Sequence, residues 1–284
     1  MKRKRYATKD FVLSSLPQTR WQQFVDVLKN EKLTFLFLSL ILLGFSLPLL
    51  AVLAVRGEYV ASLSSMVQNE EISKDVANHL LLTEDFFFDF LSLLASLIIG
   101  VGLAGCCQIF RNLAYEEGIL FGGDFREGIR KNIGPVSIIM VLLSFLYVAL
   151  RTLNDLANVL QNPYFYVGSC MIFGLDVLFI IPLLLIWLGE TASYQNRIRS
   201  NLQNLFPLLG YGYLGSVMFS SVLGSFYFLT LLGHSVWLYL AFLLLSLLLP
   251  YYALGWHLYS LSLFDRTLNR NYPEYRFKGL HRES

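Results

Sequence analysis

Six stretches of this chain are predominantly apolar: residues 33–55, 86–110, 133–153, 166–188, 205–232 and 236–264. An α-helix needs about 20 such residues to cross the hydrocarbon core of a bilayer. Backbone groups in lipid must be paired internally, which leaves helices or a closed barrel. The runs lack the period-2 alternation of barrel strands. The expected fold class is therefore all-α: a polytopic membrane protein with six transmembrane helices in one bundle, residues 33–264. Composition agrees. Hydrophobic residues make up 55% and charged residues 15%, against about 25% charged in soluble domains. A soluble globular domain, a disordered chain and a disulfide scaffold are excluded.

Charge placement predicts orientation. Eight basic residues precede the first run, four follow the second, two follow the fourth and five follow the sixth, against only Arg56, Lys74 and Arg151 on the other side. The positive-inside rule then places both termini in the cytoplasm, N-in and C-in. The chain divides into a basic N-terminal segment at 1–32, the bundle, and a cytoplasmic tail at 265–284. The first run is too long for the apolar core of a signal peptide, so it is expected to remain as a span. Residues 19–30 read as a short amphipathic helix. Thr19 and Gln22 suit a capping box, and Trp21, Phe24, Val25 and Leu28 form an apolar stripe. That stripe lies on anionic lipid or packs under the bundle. The basic tip at residues 2–5 reads as a topology signal; no nucleic-acid-binding fold accompanies it. Residues 56–85 read as a solvated, acidic outer loop.

Cys106, Cys107 and Cys170 lie in apolar runs without metal spacing, and they read as packing residues. No metal site, cofactor site or catalytic residue is expected. The sequence has no H-E-x-x-H, no G-x-S-x-G and no Walker-type loop, so it is read as non-enzymatic. His257, beside Trp256 and Tyr259, reads as a hydrogen-bonded packing residue. Asp89, near the outer end of its run, reads as a group within reach of water, and Arg151 and Asp155 lie at the end of the third run, the weakest of the six.

Asp176 is different. It falls near the middle of the fourth run, where an ionisable side chain is costly and marks a functional hypothesis. With Pro182 and the glycine-rich fifth run it forms a candidate intramembrane polar site, suited to a transporter or a substrate-binding membrane component. Two inner segments also share a pattern. Gly128-Ile129-Arg130-Lys131-Asn132-Ile133 echoes Arg197-Ile198-Arg199-Ser200-Asn201-Leu202, and Pro135 and Pro207 follow. The echo suggests a parallel repeat, each copy an in-plane helix with its Asn toward the bundle and its Arg residues toward phosphates. Glu190-Thr191-Ala192 faintly matches the E-A-A grip of importer permeases on their ATPase.

Residues 100–141 read GVGLAGCCQIFRNLAYEEGILFGGDFREGIRKNIGPVSIIMV. A small-residue helix leads through an aromatic–Arg step and a Glu-Glu turn to D-F and a basic helix ending in K-x-N. This resembles the YesL-like family of Firmicute integral membrane proteins, on Gly102, Ala104, Gly105, Phe110, Arg111, Glu116, Glu117, Asp124, Phe125, Arg130, Lys131 and Asn132. The resemblance implies a bacterial cytoplasmic membrane location and an accessory role beside a carbohydrate ABC importer. Permease subunits would be the partners. Arg111, Glu116, Glu117, Asp124, Phe125, Arg130, Lys131, Asn132, Arg197, Arg199 and Asn201 are then the candidate docking residues on the cytoplasmic face.

Overall fold

The computed structural model describes residues 16–194, 198–230 and 236–281. Arg197 and the basic tip at residues 2–5 lie outside the described residues. Among those described there is no strand, and six helical stretches are long and apolar enough to cross a membrane. The chain is a multi-pass membrane protein whose described residues form helices joined by short turns.

The short α1 (Arg20–Asn30) opens on the predicted cap. The Gln22 amide donates to Thr19 Oγ1 at 3.2 Å, and the Thr19 amide donates to Gln22 Oε1 at 3.2 Å. Its buried face matches the expected stripe only in part: Phe24 and Leu28 pack against the core. Arg20, Gln23 and Val27 point inward, while Trp21 is 72% exposed. Arg20 and Gln23 find buried partners beneath the bundle, and charge-assisted bonds of the Arg20 kind are strong.

The helices α2 (Lys32–Gln68) and α3 (Lys74–Ala114) are far longer than their apolar runs. At 1.5 Å per residue α2 spans about 55 Å, against about 30 Å of hydrocarbon. The expected outer loop is therefore mostly helix. A tight turn at residues 69–73 closes the hairpin, with Glu70 at φ 60° and the Ser73 hydroxyl accepting from the Val76 amide at 3.3 Å. On the bundle's outside, Leu36, Phe37, Leu40, Ile138, Leu142, Phe145, Leu214 and Met218 remain exposed. Such a belt of large apolar side chains is what a lipid-facing surface requires.

Helices α3 and α4 (Phe121–Leu160) approach each other closely. A methyl group built on Gly128 would lie 2.6 Å from the Gly105 carbonyl oxygen and 2.8 Å from that of Ala104. One on Gly105 would lie 2.4 Å from the Phe125 ring. Asn132 donates to the Ala104 carbonyl at 3.5 Å. Small residues thus let two backbones nearly touch. Helix α4 runs unbroken through the G-I-R-K-N-I segment and Pro135, so this copy of the echo is the start of a long helix rather than a separate in-plane one.

The fourth span is α5 (Pro163–Leu175), a π-turn at Asp176–Ile180, and α6 (Ile181–Ser193). Proline explains the π-turn. Pro182 has no amide hydrogen and its ring would crowd the carbonyl four residues back. The chain widens by one residue, and the Ile181 amide reaches the Asp176 carbonyl instead. Helix α7 (Ile198–Thr230) breaks its dihedrals at Gly212, φ −114° and ψ 20°. The Tyr259 hydroxyl of α8 (Val236–Arg266) donates to that carbonyl at 2.8 Å. Trp256, also on α8, donates to the Leu185 carbonyl at 2.7 Å.

One end of the bundle is closed by α1 and the tail. Arg20 pairs with buried Asp265 at 2.8 Å and donates to the Lys278 carbonyl at 2.9 Å. Gln23 donates to the carbonyls of Ala114 at 2.7 Å and Gly279 at 3.1 Å. The His281 amide reaches the Pro17 carbonyl at 3.0 Å, so both ends of the described chain share one face. Burial pushes the phenols of Tyr115 and Tyr194 upward, and neutral Tyr194 donates to Asn269 at 2.8 Å. Gly279 holds φ +80°, and a methyl group there would sit 2.1 Å from the Ala114 carbonyl oxygen. Gly279→Ala is expected to free the tail at a cost of about 2 kcal/mol. Limited proteolysis should then cut near residue 279 in the variant while sparing the wild type; equal resistance would contradict the strap.

Candidate functional site

Asp176 closes α5 and begins the π-turn. Its side chain is 1% exposed, and neither carboxyl oxygen has a hydrogen-bond partner. It borders a cavity of about 260 Å³ between α2, α3, α4, the π-turn and α7. Leu49, Leu53, Ile99, Met140, Phe173 and Leu223 make most of the wall apolar. The polar exceptions are Ser92, Ser96, Ser144, Tyr147 and Asp176 itself. Ser96 satisfies its hydroxyl on the Leu93 carbonyl at 2.7 Å. The Ser92 hydroxyl is buried and has no partner. A lone carboxyl group in an apolar chamber calls for a proton or a cation of apolar body. A π-turn at the same residue is a frequent mark of a functional position.

Just beyond the cavity, α2, α3 and α4 bring five charges together. Arg56 Nε pairs with Asp85 at 2.8 Å, and Arg56 Nη2 reaches Asp155 at 3.3 Å. Arg151 bonds to Asp89, lies 3.6 Å from Asp85, and donates to the Asp85 carbonyl at 3.4 Å. Arg151 is 5% exposed and Asp85 7%. Three carboxylates face two guanidinium groups, so the cluster carries one net negative charge. Asp89, expected to reach water, is partly exposed and bonded to Arg151. The signal was in the spacing: Asp85 and Asp89, like Arg151 and Asp155, stand one turn apart on one helix face. Nothing in the sequence set the three helices at a common height. Ser92 follows Asp89, and Tyr147 precedes Arg151, by about one turn, so the cluster caps the cavity.

Nearer the other end lies a second buried polar set. Glu190 is fully buried; its Oε1 accepts from Asn204 at 2.9 Å and its Oε2 has no partner. Thr191 is 5% and Ala192 7% exposed, so the Glu-Thr-Ala segment faces the bundle and offers no grip to a soluble partner. His257 is 2% exposed, and both ring nitrogens lack hydrogen bonds. The expected hydrogen-bonded packing is only packing. Cys106 and Cys107 are buried and unbridged, and Cys170 is exposed. Among the described residues no group of three or more His, Cys, Asp or Glu could hold a metal.

The candidate docking residues separate into two groups. Phe125 packs inward against Gly105, and Asn132 and Asn201 are buried at matching places in the echo. Glu116 pairs with His281 at 2.9 Å and Glu117 with Lys278 at 3.0 Å, which holds the chain's own tail. Asp124 accepts from the Leu120 amide at 2.7 Å as a helix cap. Arg111 lies over the Tyr115 ring, 5.8 Å from its centre. Half-exposed Lys131 pairs with Glu127 one turn before it, while Arg130 and Arg199 are exposed and open to the surroundings. Compared with protein-family models, with curated proteins and with solved structures, the chain finds no match.

Proposed function

We propose that this multi-pass membrane protein binds a small cation with an apolar body at Asp176, as a transporter or substrate-binding membrane component. The observation that carries the reading is the unpartnered Asp176 carboxyl group in the cavity wall. Apolar side chains hold the body of the ligand, and the carboxylate supplies its counter-charge. A carbohydrate suits the chamber poorly, because many hydroxyls would meet few polar groups.

Benzyltrimethylammonium is a suitable probe. Purified protein should bind it in equilibrium dialysis, and neutral neopentylbenzene of the same shape should not compete. Asp176→Asn should weaken binding about a hundredfold, the usual scale for losing a buried charge partner. Equal binding of the probe by wild type and Asp176→Asn would remove the reading.

A second reading is an accessory subunit beside a carbohydrate ABC importer in a bacterial cytoplasmic membrane, with N-in, C-in topology. It is supported by the resemblance of residues 100–141 to the YesL-like family and by the exposed Arg130 and Arg199. Purification at native expression in mild detergent should then recover importer permeases. Arg130→Glu with Arg199→Glu should lose them without altering elution of the protein itself. Recovery of the protein alone speaks for the Asp176 reading.

A further inference from the structure

Glu190 is the second buried carboxyl group of the span that carries Asp176. The two lie 14 residues apart, about 21 Å along the helix. Buried hydroxyls mark the ground between them. At the Glu190 end, a methyl on Gly189 would touch Ser260 Oγ at 2.5 Å, so α6 and α8 meet with that hydroxyl between them. The Ser260 hydroxyl is buried and without a partner. Its neighbour Tyr259 lies against Gly215, and Ser216 faces the same phenol. One turn further along α7, the Ser220 hydroxyl donates to the Val177 carbonyl at 2.6 Å, beside Asp176.

Resting on the Asp176 reading, we propose that Glu190 is the inner proton-binding site of a two-carboxyl path, and that cation binding at Asp176 drives a proton out through it. The balance is simple. Protonated Asp176 gives its proton to the seam as the cation takes the carboxylate. The proton passes through Ser220, Ser216, Tyr259 and Ser260, with bridging water, to the Glu190 carboxylate. Glu190 then releases it to the inner aqueous phase and returns to its carboxylate, so one cation has replaced one proton at Asp176.

The surroundings of Glu190 fit a group that gains and loses one proton. Asn204 of α7 supplies a neutral donor to one oxygen, and the other oxygen is free. The other titratable groups nearby are His257 of α8 and Cys107 of α3, which share a small cavity with Gly189, and Tyr194 at the end of α6. Among the described residues no lysine or arginine pairs with Glu190, so no fixed cation holds it ionised.

The test uses the full chain in vesicles of neutral lipid with a pH dye inside and out. Adding benzyltrimethylammonium to wild type should release a proton for each cation bound. Glu190→Gln should keep cation binding and lose proton release to the inner side, and Glu190→Asp should restore part of it. Asn204→Leu keeps the carboxyl group and should shift the pH profile of release. Asp176→Asn should lose both binding and release. Wild-type release from a Glu190→Gln protein that still binds the cation overturns the path alone. No cation binding by wild type overturns the Asp176 reading and the path with it. If Glu190→Gln fails to elute as a single species, the unshifted pH profile of Asn204→Leu is the result that rejects the path.

Discussion

Arg151→Ala is expected to be the most destabilising single change at the charged-cluster end of the bundle. Arg151 is 5% exposed and bonds to Asp89, with Asp85 and Asp155 within 3.8 Å. Removing it leaves buried Asp85 and partly buried Asp89 and Asp155 facing Arg56 alone. Breaking a buried pair on one side costs about 3–5 kcal/mol, because the remaining charge stays desolvated. Total stabilities are only about 5–15 kcal/mol, so most of the margin goes. Thermal unfolding followed by size-exclusion fluorescence should show a large drop in midpoint. Asp89→Asn combined with Arg151→Ala should recover part of it, since the pair acts as a unit. Asp155→Asn alone should be nearly neutral or mildly stabilising, because it removes the excess negative charge. A wild-type midpoint for Arg151→Ala would show that the cluster is solvated.

Gly128→Leu should prevent the bundle from closing. A methyl group at Gly128 already falls 2.6 Å from one backbone oxygen and 2.8 Å from another. Backbone cannot rotate out of the way as a long side chain can, so α3 and α4 must separate along their most intimate contact. Gly128→Ala should cost about 1–3 kcal/mol, the range for overpacking. Leucine adds three more carbons and should abolish the monodisperse species. Gly134 is a matched control on the same helix, with nothing within 4 Å of the added methyl. Gly134→Ala should be neutral or slightly stabilising, since alanine favours helix. Equal elution profiles for Gly128→Leu and Gly134→Ala would refute the close approach.

Several of these features could be read from the chain and others could not. Thr19 and Gln22 form their cap as expected because a capping box is local, with all its partners within three residues. The small residues around Gly102 and Gly105 announced a close helix contact. They did not say which helix would come near, and Gly128 was read only as part of an echo. Residues 56–85 read as a loop because their polarity resembles one, although polar helices continue beyond the membrane when paired with neighbours. Glu190 was read as part of a faint surface motif. Its burial depends on α7 and Asn204, which no window of sequence contains.

The apolar runs alone decided that this is a six-span helical membrane protein, because lipid offers no partner for backbone groups and helices satisfy them within the segment. They also decided that Asp176 would sit at mid-depth, since position in a span follows from counting residues at a fixed rise. What surrounds Asp176 was decided only by packing. Its lack of a partner, the cavity beside it, the five-charge cluster above and the second carboxyl below depend on the relative height and rotation of separate helices. Those quantities are set by contacts between residues far apart in the chain, through glycines that admit one approach and charges that admit one register.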